Sequence, residues 1–132
     1  MRILESRILT NFLDIQKIAS DIGKIKGVKA VYLFGSHAKG KQNQLSDIDI
    51  CIIGHLSEKG RLNALKWASD NLDISFFDDL SLQIRFRVLK EGKVLVVNDS
   101  KAIHDVTVVT LREYLDYVAF IENFYRRVIK NV

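Results

Sequence analysis

The 132-residue chain contains no proline, one tryptophan, one methionine and a single cysteine, Cys51. One cysteine excludes an intrachain disulfide and any cysteine-rich zinc framework. The three histidines, His37, His55 and His104, have no metal-ligand spacing, so a bound metal is expected to be a hard ion held by oxygen. No apolar run approaches the roughly 20 residues of a membrane-spanning helix. Arg2, Glu5 and Arg7 interrupt the apolar residues of the first ten positions, where a secretory signal would be continuous. The expectation is a cytoplasmic protein without a membrane segment. Only seven residues are glycine. The length suits one domain over residues 1–132 with one core. Twenty basic against 16 acidic residues leave a net charge of +4, a mild pull on polyanions such as a nucleoside triphosphate. No basic patch interleaved with aromatics argues for nucleic acid.

The residues present alternate between two periodicities. From about Glu5 to Lys24, Ile8, Leu9, Phe12, Leu13, Ile15, Ile18, Ala19 and Ile22 fall at helical spacing. Val28 to Phe34 is a β-branched and aromatic run and predicts a buried strand. A polar loop spans 35–46. Asp47 to Ile53 predicts a second strand, with Asp47 and Asp49 alternating against Ile48, Ile50 and Ile52. Ser57 to Asn71 predicts a helix, capped by Ser57 and covered along Leu62, Leu65 and Trp67 or Ala68. Leu72 to Phe77 predicts a third strand, Leu80 to Lys90 a helix ending at Gly92, Lys93 to Val97 a strand, and Asp105 to Lys130 a long helix. The order α-β-β-α-β-α-β-α predicts an α/β (α+β) domain, a mixed sheet of about four strands flanked by helices.

Chemistry concentrates in Val31-Tyr-Leu-Phe-Gly-Ser-His-Ala-Lys-Gly40 and Leu45-Ser-Asp-Ile-Asp-Ile50. Residues two apart on a strand share a face. Asp47 and Asp49 therefore project together, and two close carboxylates repel unless a divalent cation joins them. Gly35 follows a strand and lets a phosphate approach the backbone. Ser36 can donate its hydroxyl, turn amides can cradle an anion, and Lys39 adds charge. A third carboxylate on the next strand could ligate a second ion and accept the proton of an attacking hydroxyl. Asp73 is the candidate, with Asp78 and Asp79 as competitors. Gly-Ser, ten residues, then Asp-x-Asp arises by chance in a chain this long with odds on the order of one in a thousand.

Gly35, Ser36, Asp47 and Asp49 match the Gly-Ser…Asp-x-Asp signature of the DNA polymerase β-like nucleotidyltransferase superfamily. The fuller stretch, Gly35-Ser36-His-Ala38-Lys-Gly40 with Ser46-Asp47-Ile-Asp49-Ile, resembles the minimal nucleotidyltransferases (MNT). That resemblance implies a mixed sheet, Mg²⁺, an NTP donor expected to be ATP, and metal ligation by Asp47, Asp49 and Asp73. It implies further that the chain is an antitoxin that transfers AMP to a tyrosine of a HEPN toxin partner. A docking module that neutralises a toxin without turnover and a small-molecule adenylyltransferase are the alternatives. On the last helix, Tyr114, Tyr117, Ile121 and Phe124 form one stripe and Leu111, Leu115, Val118, Tyr125 and Val128 another. This width is expected either from deeper burial or from contact with a partner or a second copy, making a homo-oligomer. Arg85 and Arg87 lie two apart, off a common helix face, and are expected to be solvated. Cys51 is expected in the core.

Overall fold

The computed structural model describes residues 12–35 and 48–131. Helix α1 (Phe12–Gly23) is followed by β1 (Val28–Phe34), β2 (Ile48–Gly54), α2 (Glu58–Leu65), β3 (Leu72–Phe76), a 3-10 turn (Phe77–Asp79), α3 (Leu82–Glu91), β4 (Lys93–Val97) and α4 (Ser100–Lys130). The predicted element order holds. The part of the first predicted helix before residue 12 lies outside the described residues.

The sheet is mixed and runs β3-β2-β1-β4. β1 pairs antiparallel with both β2 and β4, while β2 and β3 are parallel. Parallel neighbours need a crossover, and α2 supplies it. Strand alternation divides the interior into two clusters. On one side Val31, Leu33, Ile48, Ile50, Ile52, Leu72 and Ile74 meet Ile15, Ile18, Ala19 and Ile22 of α1 and Ala64 of α2. On the other, Ala30, Tyr32, Cys51, Ile53 and Phe77 meet Val88 of α3, with Ile84 and, from α4, Ile103 and Val106 packed around them. Covering both faces explains why the centres of β1 and β2 are unbroken apolar runs. Asn98 staples one end of the sheet, its amide donating to the carbonyls of Gly23 (2.7 Å) and Val28 (2.9 Å).

Two helices depart from expectation. In α2, Ser57 is the N-cap and accepts from the Gly60 amide at 3.1 Å. The helix ends at Leu65, however, and its buried residues are Gly60 and Ala64. Leu62 is 62% exposed and Leu65 41% exposed. Small residues let this helix approach closely, so its leucines point away. Helix α4 begins at Ser100, five residues before the expected start, because the Asp99 carboxylate accepts from the Ala102 amide at 3.0 Å and caps it there. That hydrogen bond also holds the Asp99 carboxyl below its ordinary pKa, aided by Lys29. Among the described residues no helix is long and apolar enough to cross a membrane.

Ile50 is fully buried. Ile50→Ala is expected to cost about 2–5 kcal/mol in urea unfolding, the range for a truncated core aliphatic. Leu62→Ala should stay within about 0.5 kcal/mol, as befits an exposed position. Equal losses at both sites would contradict the assigned face of α2.

Candidate functional site

The end of the sheet where β1 finishes and β2 and β3 begin gathers the predicted site residues that fall within the described chain. Register sets Phe34 of β1 opposite Asp49 of β2, and Asp49 opposite Asp73 of β3. Adjacent strands lie about 4.8 Å apart, and register partners share a face, so the Asp49 and Asp73 side chains rise from neighbouring positions. The residues around them in sequence are fixed. Ile48, Ile50 and Leu72 are each 1% exposed or less, and Ile74 is 7% exposed, all inside the first cluster. Their burial turns the two acids to the opposite face, Asp49 half-buried and Asp73 exposed.

Gly35 closes the site from β1. Its φ is +85°, a left-handed backbone that a side chain makes costly. A Cβ built there would lie 2.6 Å from Asp49 Oδ2. The Asp49 carboxylate therefore rests directly against the Gly35 backbone. Glycine serves two needs here: it permits the turn and leaves the volume that the carboxylate fills.

Gly35, Asp49 and Asp73 are thus brought together. Ser36, Lys39 and Asp47, with His37, lie outside the described residues. Among the described residues no group of three or more His, Cys, Asp or Glu is arranged to hold a metal, since this row supplies two carboxylates.

The competing acids sit elsewhere. Asp78 and Asp79 occupy the 3-10 turn beyond the far end of β3, at least about 10 Å along the strand from Asp73. Asp79 Oδ2 accepts from Arg61 Nη1 at 2.9 Å, and Asp78 Oδ2 lies 3.7 Å from His55 Nδ1. Their charges serve contacts at the opposite edge.

Cys51 is fully buried, as expected, in the second cluster. Burial pushes its thiol up to about 12, opposed by a hydrogen bond with Ser75 and reinforced by Asp78. It stays a neutral core group, neither nucleophile nor ligand. Arg87 Nε lies 3.8 Å from Glu91 Oε1, one turn along α3. Arg85 differs from the solvated charge expected of it. Its guanidinium carbon lies 5.9 Å from the centroid of Phe77, and its Nε is buried without a hydrogen-bond partner among the described residues. Helix periodicity, read on one helix, could not show that a ring from the neighbouring turn shields it.

Comparison with known proteins places this frame in a family. Residues 15–101, more than half of the chain, match the family described as Polymerase beta, Nucleotidyltransferase, and the chain belongs to that family. It is 35% identical over 68 residues to a Methanocaldococcus jannaschii protein whose provisional name is protein adenylyltransferase. That match covers 52% of this chain and 55% of the relative, so the chain spans about half the length of the curated protein it matches. Among solved structures, a toxin–antitoxin crystal structure with AMP-PNP aligns at a TM-score of 0.67, with 24% identity, over 90% of this chain and 98% of the other. A tri-AMPylated Shewanella oneidensis HEPN toxin in complex with MNT antitoxin aligns at 0.62, with 23% identity, over 98% and 99% of the two chains. At these identities the likeness is one of fold.

Proposed function

We propose that this chain is a Mg²⁺-dependent nucleotidyltransferase that moves AMP from ATP onto a hydroxyl of a partner protein. The acceptor in this reading is a tyrosine of a HEPN toxin, which makes the chain the antitoxin. The observation that carries the reading is the row Gly35–Asp49–Asp73, two carboxylates in register with one packed against a left-handed glycine. The name of the Methanocaldococcus relative supports protein as acceptor. The AMP-bearing HEPN toxin beside its MNT antitoxin supports nucleotide and partner.

Oxygen donors on adjacent strands suit a hard divalent ion, which Asp47, Asp49 and Asp73 would hold. When bound, Mg²⁺ neutralises charge on the entering and leaving oxygens. The chain's own residues position the rest. In this reading Gly35 and Ser36 would offer backbone amides and a hydroxyl to the triphosphate, and Lys39 would add charge. Asp73, exposed at the rim, accepts the proton of the attacking hydroxyl. That oxygen bonds to the α-phosphorus as the bond to the β-phosphate oxygen breaks, and pyrophosphate leaves. Positioning and charge supply most of the acceleration.

Label should reach the partner from α-labelled ATP and not from γ-labelled ATP, and chelation of Mg²⁺ should stop it. Transfer of the γ-label would identify a kinase and end this reading. Asp73→Asn should lower transfer by about 10²–10³-fold with the urea midpoint unchanged. Asp78→Asn and Asp79→Asn should each stay within about threefold, because neither acid lies near Asp49. A loss at Asp78 or Asp79 matching that at Asp73 would contradict the assignment of the third carboxylate.

The exposed apolar face of α4 favours one second reading, neutralisation by docking alone. Asp49→Asn separates the two, since docking would survive it.

A further inference from the structure

Helix α4 carries one apolar seam that its own domain covers along half its length. Ile103 and Val106 pack into the second cluster, Thr110 is 3% exposed, and Tyr114 stacks on Phe86 with ring centroids 3.8 Å apart. The same seam then continues at spacings of three and four through Tyr117, Ile121, Phe124 and Val128. Every residue from 119 to 130 is exposed. Phe120 is 60% exposed and Tyr125 62% exposed. These 12 residues form an arm about 18 Å long. An isolated helix of that length is marginal in water without a packed face. On the order of 700 Å² of its large apolar side chains faces solvent, near the roughly 800 Å² that each partner buries in a stable interface.

We infer that the arm pairs antiparallel with the arm of a second copy of this chain. The charge order along the helix selects that occupant. Of the charged residues, Glu113 and Asp116 lie toward the start of the exposed seam and Arg127 and Lys130 toward its end, with Arg112, Glu122 and Arg126 further round the helix. A two-fold axis between Glu122 and Asn123 sets Tyr117 level with Val128 of the other copy, and Ile121 level with Phe124. In that register Asp116 falls about 3 Å along the axis from Arg127 of the other copy, and Glu113 the same distance from Lys130. Acidic rim then faces basic rim within a screening length of about 8 Å. A parallel pair would set like charges side by side. A two-fold interface must be self-complementary, and this arm is so in both its apolar and its charged residues.

Sedimentation equilibrium of the full chain tests the pairing. The 15.1 kDa chain should behave as a dimer at concentrations of about 10 µM and above. Ile121→Glu and Phe124→Glu should each weaken it at least ~30-fold by burying a charge at the seam, with unchanged circular dichroism. Glu113→Lys with Asp116→Lys should weaken it about 5–10-fold, and adding Arg127→Glu and Lys130→Glu should restore it. A chain that stays monomeric at about 100 µM overturns the inference, including the case where its arm binds a helix of another protein instead. A dimer indifferent to Phe124→Glu, or a charge reversal without rescue, overturns it as well.

Discussion

Asp49→Asn is expected to lower AMP transfer by on the order of 10³-fold or more while moving the urea midpoint very little. The exchange keeps shape and removes one negative charge. Asp49 is half-buried between the fully covered Ile48 and Ile50, so an asparagine occupies the same space with the same backbone. What changes is the electrostatic frame. In the proposed reaction Asp49 would help hold an ion that offsets several kcal/mol of developing charge, and each 1.4 kcal/mol is tenfold in rate. The loss should fall on kcat more than on KM, because that charge is largest in the transition state. Single-turnover transfer of α-label to the partner reads it. Transfer within threefold of the starting protein would remove Asp49 from the mechanism.

Gly35→Ala, unlike Asp49→Asn, should damage both stability and activity. The added methyl meets Asp49 Oδ2 at 2.6 Å in a backbone with φ +85°. The left-handed conformation costs a non-glycine residue about 1–2 kcal/mol. Relief of the contact must displace the carboxylate or the turn, and a misplacement of about 1 Å at a reacting centre costs about 10²-fold. The expected result is a loss of about 10²-fold in transfer with an unfolding free energy lower by about 1–2 kcal/mol. Wild-type activity in a destabilised Gly35→Ala would show that Asp49 need not stay where it packs. The two substitutions together should be less than additive, since both act on one carboxylate.

The strands were the most legible part of the sequence. β1 and β4 run over the expected residues, Val28–Phe34 and Lys93–Val97, because dense β-branched runs bounded by polar residues leave little latitude. The faces of helices were less legible. In α2 the conspicuous residues, Leu62 and Leu65, are exposed, and the contact is made by Gly60 and Ala64. Hydropathy weighs large side chains, whereas close packing here depends on small ones. The early start of α4 came from Asp99, a cap six residues before the expected start at Asp105.

The candidate site divides in the same way. Gly-Ser and Asp-x-Asp are local, and their spacing alone pointed to Gly35 and Asp49. The third carboxylate is a long-range matter. The sequence placed Asp73 on the third strand and Asp78 and Asp79 just past it, but only the parallel register of β2 with β3 sets Asp73 opposite Asp49 and carries the other two beyond the far end of the strand. The contact of Gly35 with Asp49 joins residues fourteen apart and has no signal beyond the motif. On α4 the sequence allowed either deep burial or a partner. Burial accounts for part of it, at the half-buried Tyr114 and Val118, but every residue from 119 to 130 is exposed.

Carboxylates in register beside a glycine turn should hold a divalent ion against a triphosphate. A crystal structure with Mn²⁺ and a non-hydrolysable ATP analogue, phased on the manganese anomalous signal, tests it directly. The expected result is an anomalous peak bonded to Asp49, with Asp47 and Asp73 as its other protein ligands and the phosphates at Gly35 and Ser36. A nucleotide bound elsewhere, or phosphates on that turn with no anomalous peak at Asp49, would contradict it.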